Sequence, residues 1–322
     1  VWPRAALTAA ACILIGLPEW TRPSLRLGVG IEPGVIPIRA CDFMAAHAVR
    51  GRGFNPFAAG GYMVYRFWPD RTRLPFMDIH QAGTREDRTL YALAQQDSSV
   101  WHRLDEKYDF DYVLVYPRRI GSDHLVDFLD DDPARWALVF NDDAGALFVK
   151  REGTLAATAD SFAYRHLRAG VVPATFLDRS MADATFRGEL EAELQRVIRE
   201  SPWNGRASMM LAPLWMMDGQ TLQARELLDH AIRANPRMFE LHAARGEVAL
   251  AENRPALARA DFERERALAG ETAYLDDAIA RSLARLGDRE AARAWYRRAL
   301  RQDPGDATAR DSLDALARES RP

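Results

Sequence analysis

Apolar and polar positions divide the chain into three textures. After Arg4 an apolar run extends from Ala5 to Leu17, broken only by Thr8 and Gly16. Its apolar residues surround a helix and leave no polar stripe. The run has 13 residues, against the roughly 20 that a bilayer-spanning helix needs. A truncated transmembrane helix, a signal or single anchor, and a buried helix are the three readings it allows. Trp2 and Trp20 bracket the run as interfacial aromatics bracket a membrane segment, so residues 1–20 are expected to be a truncated transmembrane or anchor helix, with a linker over 21–35. From Ile36 to about Arg151 helical and strand patterns alternate. Ala40 to Arg50 and Phe57 to Phe67 read as helices, and Leu74 to Ile79 as a strand. A polar-faced helix from Arg85 to Lys107 leads to the strand Tyr112 to Tyr116, and a short helix around His124 to Leu129 leads to the strand Trp136 to Asn141. The turn Asp142-Asp143-Ala144-Gly145 returns the chain as Ala146 to Lys150, a hairpin by composition and spacing. Strands separated by helices predict a mostly parallel sheet with an antiparallel edge, an α/β domain over 36–152.

Past Arg151 no strand pattern recurs, and from about Ser201 the sequence repeats. Gly219, Asn253 and Gly287 are 34 residues apart, as are Ala224, Ala258 and Ala292, then Leu228, Phe262 and Tyr296, then Pro236, Gly270 and Pro304. Ala231 and Ala299 obey the period, and Glu265 breaks the middle copy. A turn residue hands a first helix over to a second, the alanine admits close helix approach, the large residue fills the gap between units, and proline ends the second helix. This pattern resembles the tetratricopeptide repeat over about 203–318, which implies an all-α solenoid. Ala307 to Ala317 reads as its capping helix. Leu190, Leu194, Val197 and Pro202 lie one period upstream and mark a degenerate half-repeat within a helical connector over 153–202. Pro213, inside the first helix of the first copy, is expected to kink or shorten it, and Arg245 stands where an apolar residue is usual. The fold class is therefore a small α/β sheet domain followed by an all-α tetratricopeptide-repeat solenoid over 203–322.

A second resemblance is carried by Phe54-Asn55-Pro56-Phe57-Ala58-Ala59-Gly60-Gly61-Tyr62-Met63-Val64-Tyr65, Pro69, Asp78, and the segment Asp111 to Val115 with the hairpin around Asp142 and Asp143. Residues 37–150 look like the extracytoplasmic C-terminal region of bacterial polytopic membrane proteins of the glycosyltransferase C superfamily type. This resemblance implies a membrane location with the soluble part on the extracytoplasmic side, and catalytic carboxylates in loops between membrane helices that this chain does not contain. A glycan or lipid-linked sugar would then be met only through those helices. In the family pattern an arginine often follows the strand aspartate two positions later, and here that place is His80. The alternatives are a stand-alone membrane-anchored scaffold and a glycosyltransferase whose α/β domain contributes to acceptor binding.

Charge and composition narrow the partners. Of 43 basic residues only Lys107 and Lys150 are lysines, the formal net charge is −3, and residues 203–322 carry 19 arginines against 19 acids. That balance disfavours nucleic acid. Cys12 and Cys41 are the only cysteines, too few for a disulfide framework or a four-cysteine zinc site.

Candidate chemistry is sparse, and neither a cofactor nor a metal site is expected. Gly28, Gly30 and Gly34 miss a dinucleotide fingerprint because Pro33 interrupts it. Walker A, G-x-S-x-G, H-E-x-x-H and C-x-x-C patterns are absent from the sequence. Asp78 and His80 share one side of a strand end, where they form a structural pair or a weak catalytic candidate. The run Asp130-Asp131-Asp132 reads as a solvated helix end, and Cys41 as a buried small residue. No turnover is therefore expected from this chain alone. The tetratricopeptide resemblance implies a protein-binding concave face lined by the first helices, at Arg206, Met209, Met216, Glu240, Glu247, Tyr274, Asp277, Arg281 and Arg285. These side chains read equally as solvated intrahelical pairs. The face is mixed in sign and lacks the lysine and asparagine cluster with which chaperone-binding repeats clamp a terminal carboxylate.

Overall fold

The computed structural model describes residues 2–20, 34–78, 83–117, 123–170 and 175–318. It has two compact units, Val1–Pro33 and Gly34–Pro322. In the first, α1 spans Trp2–Trp20, and Ile13, Leu14 and Ile15 are exposed. Its apolar run of 13 residues rises only about 20 Å, against a hydrocarbon core of about 30 Å. Among the described residues no helix is long and apolar enough to cross a membrane.

The second unit begins with α2 (Ile38–Ala46), the short strand β1 (Gly53–Phe54), a 3-10 turn over Phe57–Ala59 and α3 (Gly60–Phe67). Then come α4 (Arg85–Ala94), α5 (Ser98–Tyr108), β2 (Tyr112–Val115), α6 (Leu125–Asp130), β3 (Trp136–Asn141), β4 (Ala146–Lys150) and α7 (Ala156–Phe162). The strand order is β1-β2-β4-β3. Among the described residues only β1 and β2 pair in parallel, and β2·β4 and β3·β4 are antiparallel. The expected mostly parallel sheet is thus reversed in character.

The difference arises because β4 lies between β2 and β3 instead of at the edge. Residues 74–78 form no strand, because the buried Asn55 takes the place of a strand neighbour. Its Oδ1 accepts the N–H of Phe76 (2.7 Å) and Met77 (3.3 Å), and its Nδ2 donates to the carbonyl of Met77 (2.7 Å). Ile79 lies outside the described residues. The parallel partner of β2 is instead Gly53-Phe54, too short to show a period. The expected helix over 85–107 is also two helices: the Asp97 carboxylate accepts from Ser99 N (2.8 Å) and caps α5.

Both faces of the sheet are buried, so its strands read as continuous apolar runs. Leu114, Val139 and Leu147 pack toward α2, α3 and α7. On the other face Val113, Leu138 and Phe148 share a core with Trp101 and Leu104 of α5 and with helices that follow the sheet domain. Those helices are α8 (Thr175–Ala182), α9 (Ala184–Glu200) and α10 (Gly205–Met217). Phe186, Leu190, Leu194 and Val197 of α9, with Leu211 and Leu214 of α10, belong to the same cluster as the strands.

Three helix pairs follow: α10 with α11 (Thr221–Ala234), α12 (Leu241–Ala251) with α13 (Pro255–Ala269), and α14 (Ala273–Arg285) with α15 (Arg289–Gln302), closed by α16 (Ala307–Arg318). Three columns of the 34-residue register have clear structural roles. Ala224, Ala258 and Ala292 are fully buried, as are Leu228 and Phe262, with Tyr296 close behind. Gly219, Asn253 and Gly287 all adopt positive φ (75°, 57° and 84°) between the helices of their pair, the left-handed conformation that favours glycine and asparagine. Pro213 does not shorten its helix: α10 and α14 both have 13 residues. No strand lies among the described residues beyond β4. The fold is a small mixed β-sheet domain followed by a solenoid like that of tetratricopeptide repeats.

Candidate interaction face on the repeat helices

On the first helix of each pair, positions spaced 3, 4 and 4 residues apart fall on one face. In register these are Arg206, Met209, Pro213 and Met217 on α10; Glu240 just before α12 and Ala243, Glu247 and Ala251 on it; Tyr274, Asp277, Arg281 and Arg285 on α14. The chemistry changes along the array. The α10 end is apolar, with Met209 and Met216 packed partly against Leu228 and Val248 and Met217 exposed. The α14 end is charged and aromatic.

The last two helices of this face are joined by four of the predicted side chains. Arg281 spans one whole repeat to reach Glu247, with contacts of 3.1 and 2.7 Å, and its Nε donates to Asp277 of its own helix at 2.9 Å. The Tyr274 hydroxyl donates to Glu247 at 2.9 Å. Burial pushes the Asp277 carboxyl above its usual range despite Arg281. Burial also raises the Tyr274 hydroxyl, with Glu247 adding to it. Arg281 stays firmly charged because the bonds and charge of Glu247 and Asp277 outweigh its burial. Arg285 is exposed and donates to the carbonyl of Leu250. At the other end the Arg206 guanidinium is held within the chain, donating to the carbonyls of Ala169 (3.2 Å) and Gly170 (3.1 Å). Glu240, at φ 72° before α12, donates its N–H to Glu265 at 2.6 Å.

Three arrangements were not legible as sites. Glu265, where the register expects alanine, is almost wholly buried and also accepts the N–H groups of His242 (3.2 Å) and Ala243 (3.3 Å), so its carboxylate closes the N-terminus of α12. Arg245, at the other irregular position, lies between Asp229 (2.6 Å) and Asp261 (2.6 and 3.0 Å) and ties α12 to both neighbouring second helices. Burial opposes ionisation of Asp261, but the bonds from His242 and Arg245 bring its pKa below the usual carboxylate value. The hairpin acids form a joint with the repeats: Asp143 accepts from Gly205 N (2.6 Å) and Arg206 N (3.2 Å) at the start of α10, and Asp142 accepts from Ser201 Oγ (3.1 Å). Burial lifts the Asp142 carboxyl to about 6. In the sequence the only signals were a broken column and an acidic turn.

Of the two catalytic candidates the structure describes only Asp78. Asp78 is half-buried against Gly60, where an added Cβ would stand 2.4 Å from the Met77 carbonyl oxygen, and His80 lies outside the described residues. Among the described residues no three His, Cys, Asp or Glu side chains are placed to hold a metal ion. Asp130 is not a solvated helix end: its carboxylate accepts from Gly170 N (2.8 Å) and Ala169 N (3.3 Å), and burial raises it to about 6. Cys41 is buried and its thiol is pushed up to about 12 by that burial, which removes it as a nucleophile at neutral pH.

The class that this fold defines is a tetratricopeptide-like solenoid built onto a small mixed-sheet domain. No protein-family model matches the chain, and no curated protein matches it. Among solved structures it is similar to a thermophilic TPR protein of Thermus thermophilus, at 24% identity over 44% of this chain and 78% of that one, with a TM-score of 0.39. It is also similar to MamA of Desulfovibrio magneticus (15% identity, 44% and 81% covered, TM-score 0.39). A third is the first TPR of Spaghetti (RPAP3) bound to an HSP90 peptide (17% identity, 36% and 91% covered, TM-score 0.34). The assignment of fold rests on the helix pairs and their register. The likeness to polytopic membrane glycosyltransferases is corrected: no match supports it, and the residues that carried it are explained by packing. Asn55 pins residues 76–77, Gly60 admits the chain at Met77 and Asp78, and Asp142 and Asp143 fasten the hairpin to α10.

Proposed function

We propose that this chain is a protein-interaction module whose binding surface is the first-helix face of the repeats. The observation that supports the reading is the change of chemistry along that face. Methionines on α10 give way to Glu247 on α12 and to Tyr274, Arg281 and Arg285 on α14, with Glu247 and Arg281 locking successive helices across one repeat. A partner segment laid along it meets soft apolar side chains at one end, which adapt to an apolar anchor, and the Arg285 guanidinium at the other, which favours a carboxylate. The matching partner is an acidic segment with an apolar residue about two repeats away from its acids.

The test is a screen of a random peptide library against the full chain, followed by titration of enriched peptides into Met217→Glu and Arg285→Glu. Both side chains are exposed, so the fold is expected to survive. Enriched peptides combining an apolar anchor with acids, and losing at least tenfold in affinity to each variant, support the reading. Peptides indifferent to both variants would refute it.

A further inference from the structure

Away from that face, a cavity of about 350 Å³ opens where the sheet meets the helical connector. Its floor is apolar: Trp136 and Leu138 of β3 and Phe148 of β4 face Phe176 of α8 and Phe186 of α9. Its rim is basic, with Arg151, Arg165, Arg168 and Arg179 against a single lining carboxylate, Asp130. The acids around it are already engaged. Asp130 takes the Ala169 and Gly170 N–H groups, and Arg168 lies 2.5 Å from Asp131 and 3.8 Å from Asp130. Glu193 accepts the main-chain N–H groups of Arg165 (2.6 Å) and Leu167 (2.8 Å), and Glu189 holds His166 at 2.5 Å.

Three guanidinium groups remain without a carboxylate among the described residues. Arg151 donates its Nε to the Pro133 carbonyl at 2.6 Å, Arg179 lies 3.9 Å above the centre of the Phe186 ring, and the Arg165 side chain is exposed at the rim. An aromatic floor beneath uncompensated guanidinium groups selects a molecule that is apolar at one end and anionic at the other. At interior packing density the volume admits roughly 12 to 15 non-hydrogen atoms.

We propose that this cavity binds a small apolar carboxylate, its ring or short chain on Trp136 and Phe148 and its carboxylate between Arg165 and Arg179. Phe186, covered on one side by Arg179, forms the wall between the two ends.

The experiment is isothermal titration of the full chain with 2-naphthoate, its neutral amide 2-naphthamide, and the cation 2-naphthylmethylamine. Naphthoate is expected to bind at one site per chain, the amide at least tenfold more weakly, and the amine not at all. Arg165→Glu and Arg179→Glu are each expected to weaken naphthoate tenfold or more, with far-ultraviolet circular dichroism unchanged because both side chains are exposed. The Trp136 indole proton resonance, assigned with Trp136→Phe, is expected to shift on titration. Lack of saturable naphthoate binding up to millimolar concentration overturns the proposal. Equal affinity for acid and amide, or affinity unchanged in both arginine variants, overturns it as well.

Discussion

Replacing Glu265 by alanine gives the middle repeat the residue that its neighbours carry at Ala231 and Ala299, so reasoning from the repeat alone expects a neutral or stabilising change. The structure expects the opposite. Glu265 is 2% exposed, and its two oxygens take three main-chain N–H groups at the start of α12, those of Glu240, His242 and Ala243. Such donors have no partner within their own helix. A hydrogen bond to a charged acceptor contributes about 1.5–3 kcal/mol, and an anion at a helix N-terminus adds about 0.3–1 kcal/mol. Against these stand the desolvation of the carboxylate and the entry of water into the space left by alanine, which re-bonds part of what is lost. The net is comparable to deletion of a strong N-cap and a second bond, about 2–3 kcal/mol. Glu265→Gln keeps one acceptor oxygen and is expected to cost about 1 kcal/mol. Hydrogen exchange reads the effect locally: the amides of Glu240, His242 and Ala243 are expected to exchange roughly 30 to 150 times faster in the alanine variant. Urea unfolding should fall in midpoint in the same order, wild type above glutamine above alanine. An alanine variant as protected as the wild type would show that the carboxylate contributes nothing net at this helix start.

Four further outcomes follow from the packing, the turns and the joint. Ala292→Leu places a larger side chain where Ala292 of α15 is fully buried in the core shared with α14, and is expected to cost about 1–3 kcal/mol in chemical denaturation. Gly287→Ala, at φ 84° with no atom within 4 Å of the added Cβ, isolates the left-handed backbone cost of about 1–2 kcal/mol. Asn253→Gly at φ 57° is expected to be neutral or slightly stabilising in the same assay. Asp142 titrates near 6 in the fold because of its burial, above the usual carboxylate value, so its contribution to stability is fully present at pH below about 4 and is lost as pH rises through 6. Asp142→Asn has no such titration, and the wild type is expected to gain about 1–3 kcal/mol relative to the variant between pH 7 and pH 4, measured by urea unfolding at each pH.

The repeats were legible because their constraints are local and recur. A positive φ at Gly219, Asn253 and Gly287, or a close contact at Ala224, Ala258 and Ala292, restricts residue choice in the same way every 34 positions, and the restriction is written into the sequence as a column. The strands β3 and β4 and their hairpin were legible for a similar reason, since apolar runs flank a turn of fitting composition. The α10 to α14 face residues could be placed by register, but their pairing could not. Glu247 and Arg281 are 34 residues apart, and only the stacking of α12 on α14 brings them within 3.1 Å.

Where one side chain replaces a regular element, sequence patterns mislead. Leu74 to Met77 have the composition of a strand, yet Asn55 fills the hydrogen-bonding place of a neighbour and leaves them irregular. The direction of the sheet turned on β4, which pairs with both β2 and β3 instead of standing at the edge. Asp142, Asp143 and Glu265 looked like a turn and a break in the repeat, and tertiary contact made them the attachments of α10 and α12. Local conformation and the packing period are properties of a residue and its near neighbours, so the chain determines them by itself. Which backbone donor a buried carboxylate satisfies depends on elements brought together from distant parts of the chain, and only the tertiary structure decides it.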